Sequence, residues 1–348
     1  MFQVRGSAQM ASKQHSSWLI KSPVPHRQDV FAHHDIAGLT PLDAQMGVRT
    51  PKCVPDALVG PLFGPAEDGA PLHTYAILDA AKLSLLPDII EASEAQRACL
   101  FQGDAATELR DLSPWLVALG QGDRLTRALM TDCAGPTGLW ARDLGLMLRC
   151  AAPFDQVWQH LRRFVRLRQA DDDAWFYFRF WERHVPLGLA SAQAEAPAAL
   201  LQALMAPVDG HPQRWVMIDP IGHVADVLAL RDPPVGRVAV PPLHRDTVDA
   251  LARSTTAAQM RDEIHTALRD VPPAVRAAYG SEPGLADLWQ ALHGAQFKLR
   301  DHRIEAIRGY LTLVLAHQRD AAWSILTRKE QGPKIRLWHL NRAVEAAA

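Results

Sequence analysis

Short apolar runs alternate with segments of helical periodicity from residue 72 onwards. The runs have the length of strands, and they predict strands at 75–79, 97–101, 115–119, 144–148 and 214–218. The strongest strand signal is 175–181, because its aromatic side chains fit a pleated, half-buried surface. This alternation predicts an N-terminal lobe of α+β or α/β class with a mixed sheet, over residues 72–232.

The helical segments carry their apolar residues on one face. The clearest follows Pro153, where Phe154, Val157 and Leu161 recur at helical spacing, and proline is tolerated in a first turn. After the proline pairs at 233–234 and 241–242 the strand signals stop. Helical spacing then predicts helices at 244–268, 274–279, 285–299 and 304–317. We therefore expect an all-helical C-terminal lobe over residues 243–348, ending in a helical or frayed tail.

Residues 1–71 differ from the rest of the chain in their proline and glycine pattern. Eight prolines interrupt the stretch from residue 23 to residue 71. Proline removes a backbone donor, and glycines at 60, 64 and 69 raise the entropy lost on ordering, so regular structure should be sparse. The pattern predicts a partly irregular arm that is mobile or lies on the surface of the folded body.

Composition and charge exclude several classes of protein. With 348 residues, 48% hydrophobic and 22% charged, the chain is typical of globular proteins. Lys and Arg (37) balance Asp and Glu (38), so the net charge of −1 gives no global field for nucleic acid or an anionic membrane. No apolar stretch reaches the ~18 residues of a membrane span, and the N-terminus lacks the apolar region of a secretory signal. Four widely spaced cysteines are typical of reduced thiols, so we expect a cytoplasmic protein.

Motifs that carry chemistry are missing from the sequence. It contains no Walker loop, no G-x-G-x-x-G and no G-x-S-x-G. The adjacent residues His33, His34 and Asp35 cannot easily share one tetrahedral ion, and we interpret them as part of a solvated loop. We therefore predict no catalytic residue, no metal and no cofactor. The alternative is a hydrolase-like enzyme that uses His and Asp residues near Gly135–Asp143, because α/β lobes often carry sites at strand ends.

Arginine and tryptophan are both abundant. Thirty arginines stand against seven lysines, and there are ten tryptophans. Arginine beside exposed tryptophan is typical of protein-binding hot spots. The residues that we predict to contact a partner are Trp140, Arg162, Arg163, Arg179 and Trp181, whereas Trp115, Trp158 and Trp175 are expected in the core.

Two of these predictions have alternatives. The basic cluster of His160, Arg162, Arg163, Arg166 and Arg168 is either the polar side of an amphipathic helix or a patch for an anionic partner, nucleic acid included. Arg179 lies inside an aromatic run, so a buried position would require a carboxylate partner. We interpret Arg179 as a structural or interlobe ion-pairing residue.

A series of short elements in fixed order carries a family resemblance over residues 75–218. The elements are Tyr75-Ala76-Ile77-Leu78-Asp79-Ala80, Leu86-Pro87, 97–103, 109–119, 138–140 with the 146–148 strand, 154–164, Phe178-Arg179-Phe180-Trp181-Glu182, and 201–208 with the 215–218 strand. Their order and spacing resemble the type VI secretion effector adaptor family, also called effector chaperones. One departure is Trp181-Glu182-Arg183-His184, where the family tends to read Tyr-Asp-Pro-Arg. Residues 1–70 lie outside the resemblance.

The resemblance implies a cytoplasmic adaptor that is not an enzyme. Its partners would be a cognate secreted effector and, through loading, the secretion spike of VgrG and PAAR proteins, with no nucleic acid and no membrane. A groove between the two lobes is the place where we expect a partner helix or strand, because a groove buries an apolar face more completely than a flat surface.

Overall fold

The computed structural model describes residues 29–347, apart from residues 67, 68, 70, 136, 173, 237, 270, 272–283 and 329. The described residues divide into two compact units, which we call the sheet unit, within Pro25–Thr255, and the helical unit, within Thr256–Ala348. The predicted helix at 274–279 and the first 28 residues of the predicted arm lie outside the described residues.

Nine strands are present in the described part of the sheet unit. They are β1 (Phe31–Ala37), β2 (His73–Asp79), β3 (Arg97–Cys99), β4 (Pro114–Leu119), β5 (Gly145–Cys150), β6 (Arg166–Arg168), β7 (Trp175–Tyr177), β8 (Arg214–Asp219) and β9 (Val224–Leu230). Seven of them form one sheet in the order β1-β9-β8-β5-β2-β4-β3, and β6 and β7 form a separate hairpin. Every pairing of the described strands is antiparallel.

The large sheet is covered on both faces. On β2, Tyr75 and Ile77 belong to one buried cluster and Ala76 and Leu78 to another, as the twofold alternation of a strand requires. We call these clusters face A and face B of the sheet. Because both faces are buried, β2 has a continuous apolar run instead of alternating apolar and polar residues.

Short helices connect and cover these strands. In the sheet unit they are α1 (Asp56–Phe63), α2 (Leu86–Ala92), α3 (Asp104–Glu108), α4 (Arg124–Met130), α5 (Phe154–Leu161), α6 (His184–Ser191) and α7 (Glu195–Leu204). Helix α4 packs on face B, and α5, α6 and α7 pack on face A. A single-turn helix at Arg162–Phe164 continues from α5 toward β6.

All the regular elements described in the second unit are helices. Helix α8 (Arg245–Arg269) begins in the sheet unit and ends in the helical unit. It is followed by α9 (Gly284–Gly294), α10 (Arg300–Leu315), α11 (Arg319–Thr327) and α12 (Pro333–Ala347). Leucine, isoleucine and phenylalanine side chains from these helices and their connections make one buried cluster, for example Leu288, Phe297 and Ile307. The predicted fold class is confirmed: an α+β region is followed by an all-helical region. None of the helices described is long and apolar enough to cross a membrane.

The structure corrects two expectations about local structure. Residues 31–37 form edge strand β1, and residues 56–63 form α1, whose Leu58 and Leu62 are buried on face B, so this part is not a surface arm. Pro55 precedes the first turn of α1, where a proline costs no helical hydrogen bond, and Pro61 lies inside this short helix. The aromatic strand ends at Tyr177 instead of residue 181, because Phe178 and the residues after it turn inward to pack on face A.

Candidate functional site

Three aspartates meet at one end of the sheet. Asp79 ends β2, Asp219 ends β8, and Asp226 lies near the start of β9. Because β2, β5, β8 and β9 run antiparallel in that order, these positions share one end of the sheet. Asp79 alternates with Tyr75 and Ile77 and therefore lies on face A, and the same alternation places Asp219 and Asp226 there.

Two arginines from the segment between β7 and α6 neutralise these aspartates. Arg179 Nη2 lies 2.5 Å from Asp79 Oδ2. Arg183 Nη2 lies 2.7 Å from Asp226 Oδ2, and Arg183 Nη1 lies 3.5 Å from Asp219 Oδ2. Asp79 and Asp219 are almost completely buried, so each needs its cation. The ion pairs therefore fix the backbone of residues 179–183 over the end of the sheet.

The network extends to groups that are more exposed. Glu182 Oε1 lies 2.8 Å from Arg179 Nη2, and Lys82 Nζ lies 3.3 Å from Asp143 Oδ2. The full set, which we call the sheet-end network, is His33, Asp79, Lys82, Asp143, Arg179, Glu182, Arg183, Asp219 and Asp226.

Electrostatics divide the carboxyl groups of this network into two kinds. Burial raises the pKa of Glu182 and Asp143, and the neighbouring cations Arg179 and Lys82 only partly offset that increase. Burial also acts upward on Asp226, but hydrogen bonds from His33 (2.9 Å) and Arg183 outweigh it, so the pKa of Asp226 is below its ordinary value. Carboxyl groups with a raised pKa, such as those of Glu182 and Asp143, are often found at functional sites.

The β6–β7 hairpin presents a second feature to solvent. Leu167 and Phe176 face the buried cluster on face A. The cross-strand pairs Arg166–Tyr177 and Arg168–Trp175 occupy the opposite face of the hairpin. Trp175 is 58% exposed and Tyr177 is 40% exposed, which is unusual for aromatic residues on a short hairpin.

The exposed face continues from the hairpin toward α5. The Tyr177 ring lies 5.6 Å from that of Phe101, and Arg162 Nη2 donates a 2.9 Å hydrogen bond to Gln102 Oε1. Two arginines stack on indole rings: Arg162 is 4.3 Å from the centroid of Trp158, and Arg166 is 5.1 Å from that of Trp175. We call the set Phe101, Trp158, Arg162, Arg166, Trp175 and Tyr177 the aromatic–arginine surface.

Tyr177 links the surface to the sheet-end network. Burial of its hydroxyl end raises the pKa of Tyr177, and the charge of Asp79 adds to the increase. The ring of Tyr177 also lies 5.8 Å from that of Trp181, which immediately precedes Glu182. The hairpin is thus held by the same segment that carries Arg179 and Arg183.

The structure reverses the expected exposure of three tryptophans. Trp181 is 0% exposed and Trp140 is nearly as buried, so neither presents a surface to a partner. Trp181 packs against Phe180 on face A, and Trp140 belongs to face B. Trp175, which the sequence places in the core, is exposed instead. The prediction that Trp181 is exposed was based on its charged neighbours in the sequence. Those neighbours, Glu182 and Arg183, form ion pairs in the sheet-end network and do not mark an exposed position.

The arginines among the predicted contact residues have distinct positions. Arg162 belongs to the aromatic–arginine surface, whereas Arg163 Nη2 donates a 2.7 Å hydrogen bond to the carbonyl of Val238. Arg179 makes ion pairs with Asp79 and Glu182, and its side chain remains 38% exposed. The pairing of Arg179 with a carboxylate is what its place in an aromatic run required.

Sequence reasoning missed Tyr177 and the three aspartates, and it placed Arg166 in the basic cluster without recognising the hairpin that carries it. The alternation of Arg166-Leu167-Arg168 and of Trp175-Phe176-Tyr177 is the signal for a half-buried hairpin with its arginines and aromatic rings outward. Asp226 interrupts an apolar run in β9, a strand that was not predicted. A charged residue inside such a run indicates a buried ion pair.

The region proposed for an enzymatic alternative is also near the network. Asp143 follows the single turn Trp140–Arg142 and adopts a left-handed backbone conformation, with φ of 47°. Within the part of the chain that the structure describes, no three His, Cys, Asp or Glu side chains are grouped to hold a metal ion. His33 and His34 point to opposite faces of β1, so the two do not act together.

A family model matches part of the chain. No curated protein and no solved structure matches the chain. Residues 74–197 match the family model described as a domain of unknown function, DUF4123. The matched residues run from β2 into α7 and include the β6–β7 hairpin and the 179–183 segment. This part of the chain therefore matches a domain family that is known from type VI secretion effector adaptors.

Proposed function

We propose that the chain is a cytoplasmic adaptor that binds a type VI secretion effector. In this role it would keep the effector stable and promote its loading onto the spike of VgrG and PAAR proteins. The single observation that carries the proposal is the DUF4123 match over residues 74–197. Within the matched residues, the aromatic–arginine surface supplies exposed side chains of the types that dominate protein-binding hot spots.

The sheet-end network supports a binding role by making this surface rigid. Arg179 and Arg183 are held by carboxylates that belong to strands of the large sheet. Tyr177 lies only two residues before Arg179, so the ion pairs also restrict the hairpin. A surface that is already ordered loses less conformational entropy when a partner binds.

Co-expression with the proteins encoded on either side of this chain's gene, as candidate effectors, tests the proposal. A stable complex should elute as one species on size exclusion, and deletion of the adaptor should lower the effector's abundance and secretion. If effector abundance, association with the spike and secretion are all unchanged in the deletion strain, the proposal fails. A deletion strain that carries the gene in trans is the control.

A second candidate function, a hydrolase-like enzyme, is favoured by Asp143 and Glu182. Burial raises the pKa of both carboxyls, and such groups are candidates for general acids. The test is a panel of ester, peptide and glycoside substrates with the purified chain and with the variant Asp143→Asn/Glu182→Gln. Turnover that the double variant abolishes would support the enzyme, and no turnover by the unaltered chain would remove it.

A further inference from the structure

The aromatic–arginine surface has the chemistry of a site for a negatively charged partner. Arg162 and Arg166 form no salt bridge with any carboxylate among the described residues, although the sheet unit contains many ion pairs. Each guanidinium instead stacks on an indole ring, which orients its donors and keeps its hydration weak. Oriented guanidinium groups bind carboxylates with two parallel hydrogen bonds.

The positive charge of this surface is local. The chain as a whole has a net charge of −1, so attraction of an acidic partner depends on these side chains and not on the overall field. Trp175 and Tyr177 flank the arginines and provide apolar area. The partner that fits is therefore a segment with acidic and apolar side chains together.

The backbone of β7 indicates the conformation of that segment. Phe178 N–H donates to Val165 O, and Gln169 N–H donates to Ala174 O, so residues 174, 176 and 178 face β6 in the ladder. The N–H and C=O groups of Trp175 and Tyr177 must then point away from β6. No hydrogen bond of these four groups is found among the described residues. A strand whose outward backbone groups form no hydrogen bonds can accept an additional strand.

We propose that the aromatic–arginine surface binds an extended, acidic segment of the effector, which adds as a strand along β7. This inference rests on the proposed function and specifies the chemistry of the bound segment. Four outward backbone groups supply only a few hydrogen bonds, so contacts with Arg162, Arg166 and Trp175 provide most of the affinity. Alternate side chains of the added strand share the face of the hairpin that carries Arg166, Trp175 and Tyr177, so acidic residues at those positions are attracted to the positive charge there.

Overlapping 15-residue peptides that tile the effector identified by co-expression are the probe. They are screened against the full chain by fluorescence anisotropy. We expect the bound peptides to be acidic, and their affinity to fall as salt is raised because the pairs are exposed. Arg162→Glu/Arg166→Glu should weaken binding about tenfold or more, since reversal replaces attraction by repulsion. A peptide with its acidic residues changed to lysine should bind the double variant better than it binds the unaltered chain.

A matched control is available on the other face of the sheet. Arg124→Glu/Arg127→Glu makes the same change in net charge on α4, which packs on face B, and should leave the affinity unchanged. N-methylation of alternate backbone amides of the peptide tests the added strand: one register should abolish binding and the other should be tolerated. Bound peptides that lack acidic residues, or equal tolerance of both registers, would overturn the proposal.

Full-length effector separates this inference from the function on which it rests. If the effector forms no complex with the unaltered chain, the adaptor function itself is wrong. If Arg162→Glu/Arg166→Glu forms the complex with unchanged affinity and an unchanged melting temperature, only the acidic-segment site is wrong. Weaker binding by the double variant at an unchanged melting temperature supports the site.

Discussion

The helical unit and the sheet unit each contain ion pairs, but the two sets differ in how completely they are closed. In the helical unit, Glu263 is 0% exposed, and its two oxygens accept hydrogen bonds from Arg303, from Trp289 Nε1 at 2.6 Å and from Gln259. Arg303 also donates to the carbonyl of Phe297. These residues come from α8, α9 and α10 or from the connection before α10, so one carboxylate ties three helices together.

The sheet-end network is open where the helical pair is closed. Asp79 and Asp219 are buried, but the cations that neutralise them extend outward, and Glu182 and Asp143 adjoin solvent. The pKa values of the buried glutamates in the two units shift in opposite directions. The pKa of Glu263 is below its ordinary value because hydrogen bonds outweigh burial, whereas the pKa of Glu182 is raised because burial dominates. A closed pair is typical of a structural role, and an open network leaves charged groups beside a surface that can meet a partner.

The largest effect that we expect follows from opening the closed pair. Glu263→Gln removes the charge that compensates Arg303 while it preserves the shape of the side chain. Loss of one partner of a buried ion pair costs about 3–5 kcal/mol of unfolding free energy, because the other charge remains in a low-dielectric site. Urea unfolding, followed by circular dichroism at 222 nm, measures the loss.

The neighbouring residue provides the matched control for Glu263. Asp262 lies next to it on α8 and pairs with Arg300 at 2.8 Å, but both side chains are about half exposed. Asp262→Asn should cost only about 0–1 kcal/mol, since solvent screens an exposed pair. Similar losses for the two variants would mean that burial does not distinguish these pairs.

The open network should be most sensitive at its most buried cation. Arg183→Ala leaves both Asp219 and Asp226 without their guanidinium, and we expect a loss of about 3 kcal/mol. Arg179→Ala leaves Asp79, which keeps a hydrogen bond from the Ala81 N–H, so about 2 kcal/mol is expected. Thermal unfolding of each purified variant gives the order.

Arg163→Ala is the reference for these two arginines. Its side chain donates a hydrogen bond to the carbonyl of Val238, and loss of a hydrogen bond to an uncharged group costs about 1 kcal/mol. Arg179→Ala should therefore lower the melting temperature more than Arg163→Ala does. Equal melting temperatures for all three variants would contradict the view that the aspartates make these arginines structural.

The contrast between the units also explains what the sequence could predict. Strands β2, β4, β5 and β8 were found within one to two residues of their ends, because both of their faces are buried and their apolar runs are continuous. The hairpin was not found as such. Its strands have three residues each, too few for periodicity to define a face, and the aromatic run continues into the turn that carries Arg179.

The sites were harder to predict than the elements, for a topological reason. Arg179 is 100 residues from Asp79 in the sequence, and Arg183 is 43 residues from Asp226. These residues come together only because of the strand order β9-β8-β5-β2. The sequence contains no pattern that specifies this order. The need of Arg179 for a carboxylate could be predicted, but the identity of that carboxylate could not.

The smallest effect that we expect is a difference in how the two carboxylates respond to pH. The folded-state pKa of Glu263 is lowered, so its contribution to stability is present above the pKa of the unfolded chain, about 4.3, and is lost as pH falls below it. The folded-state pKa of Glu182 is raised, so its ionised form costs stability at neutral pH. That cost is relieved as pH falls through the raised value.

The two Gln variants isolate these contributions. The free energy of unfolding of the unaltered chain minus that of Glu263→Gln should be constant between pH 7 and pH 5 and should shrink below about pH 4. The same difference for Glu182→Gln should instead increase as pH falls from 7 towards the ordinary pKa of a glutamate, because protonation stabilises only the chain that retains the carboxyl group. The sign of the slope is the readout, and urea unfolding at five pH values measures it. If both stability differences change with pH in the same direction, the contrast between the carboxyl groups of Glu263 and Glu182 is wrong.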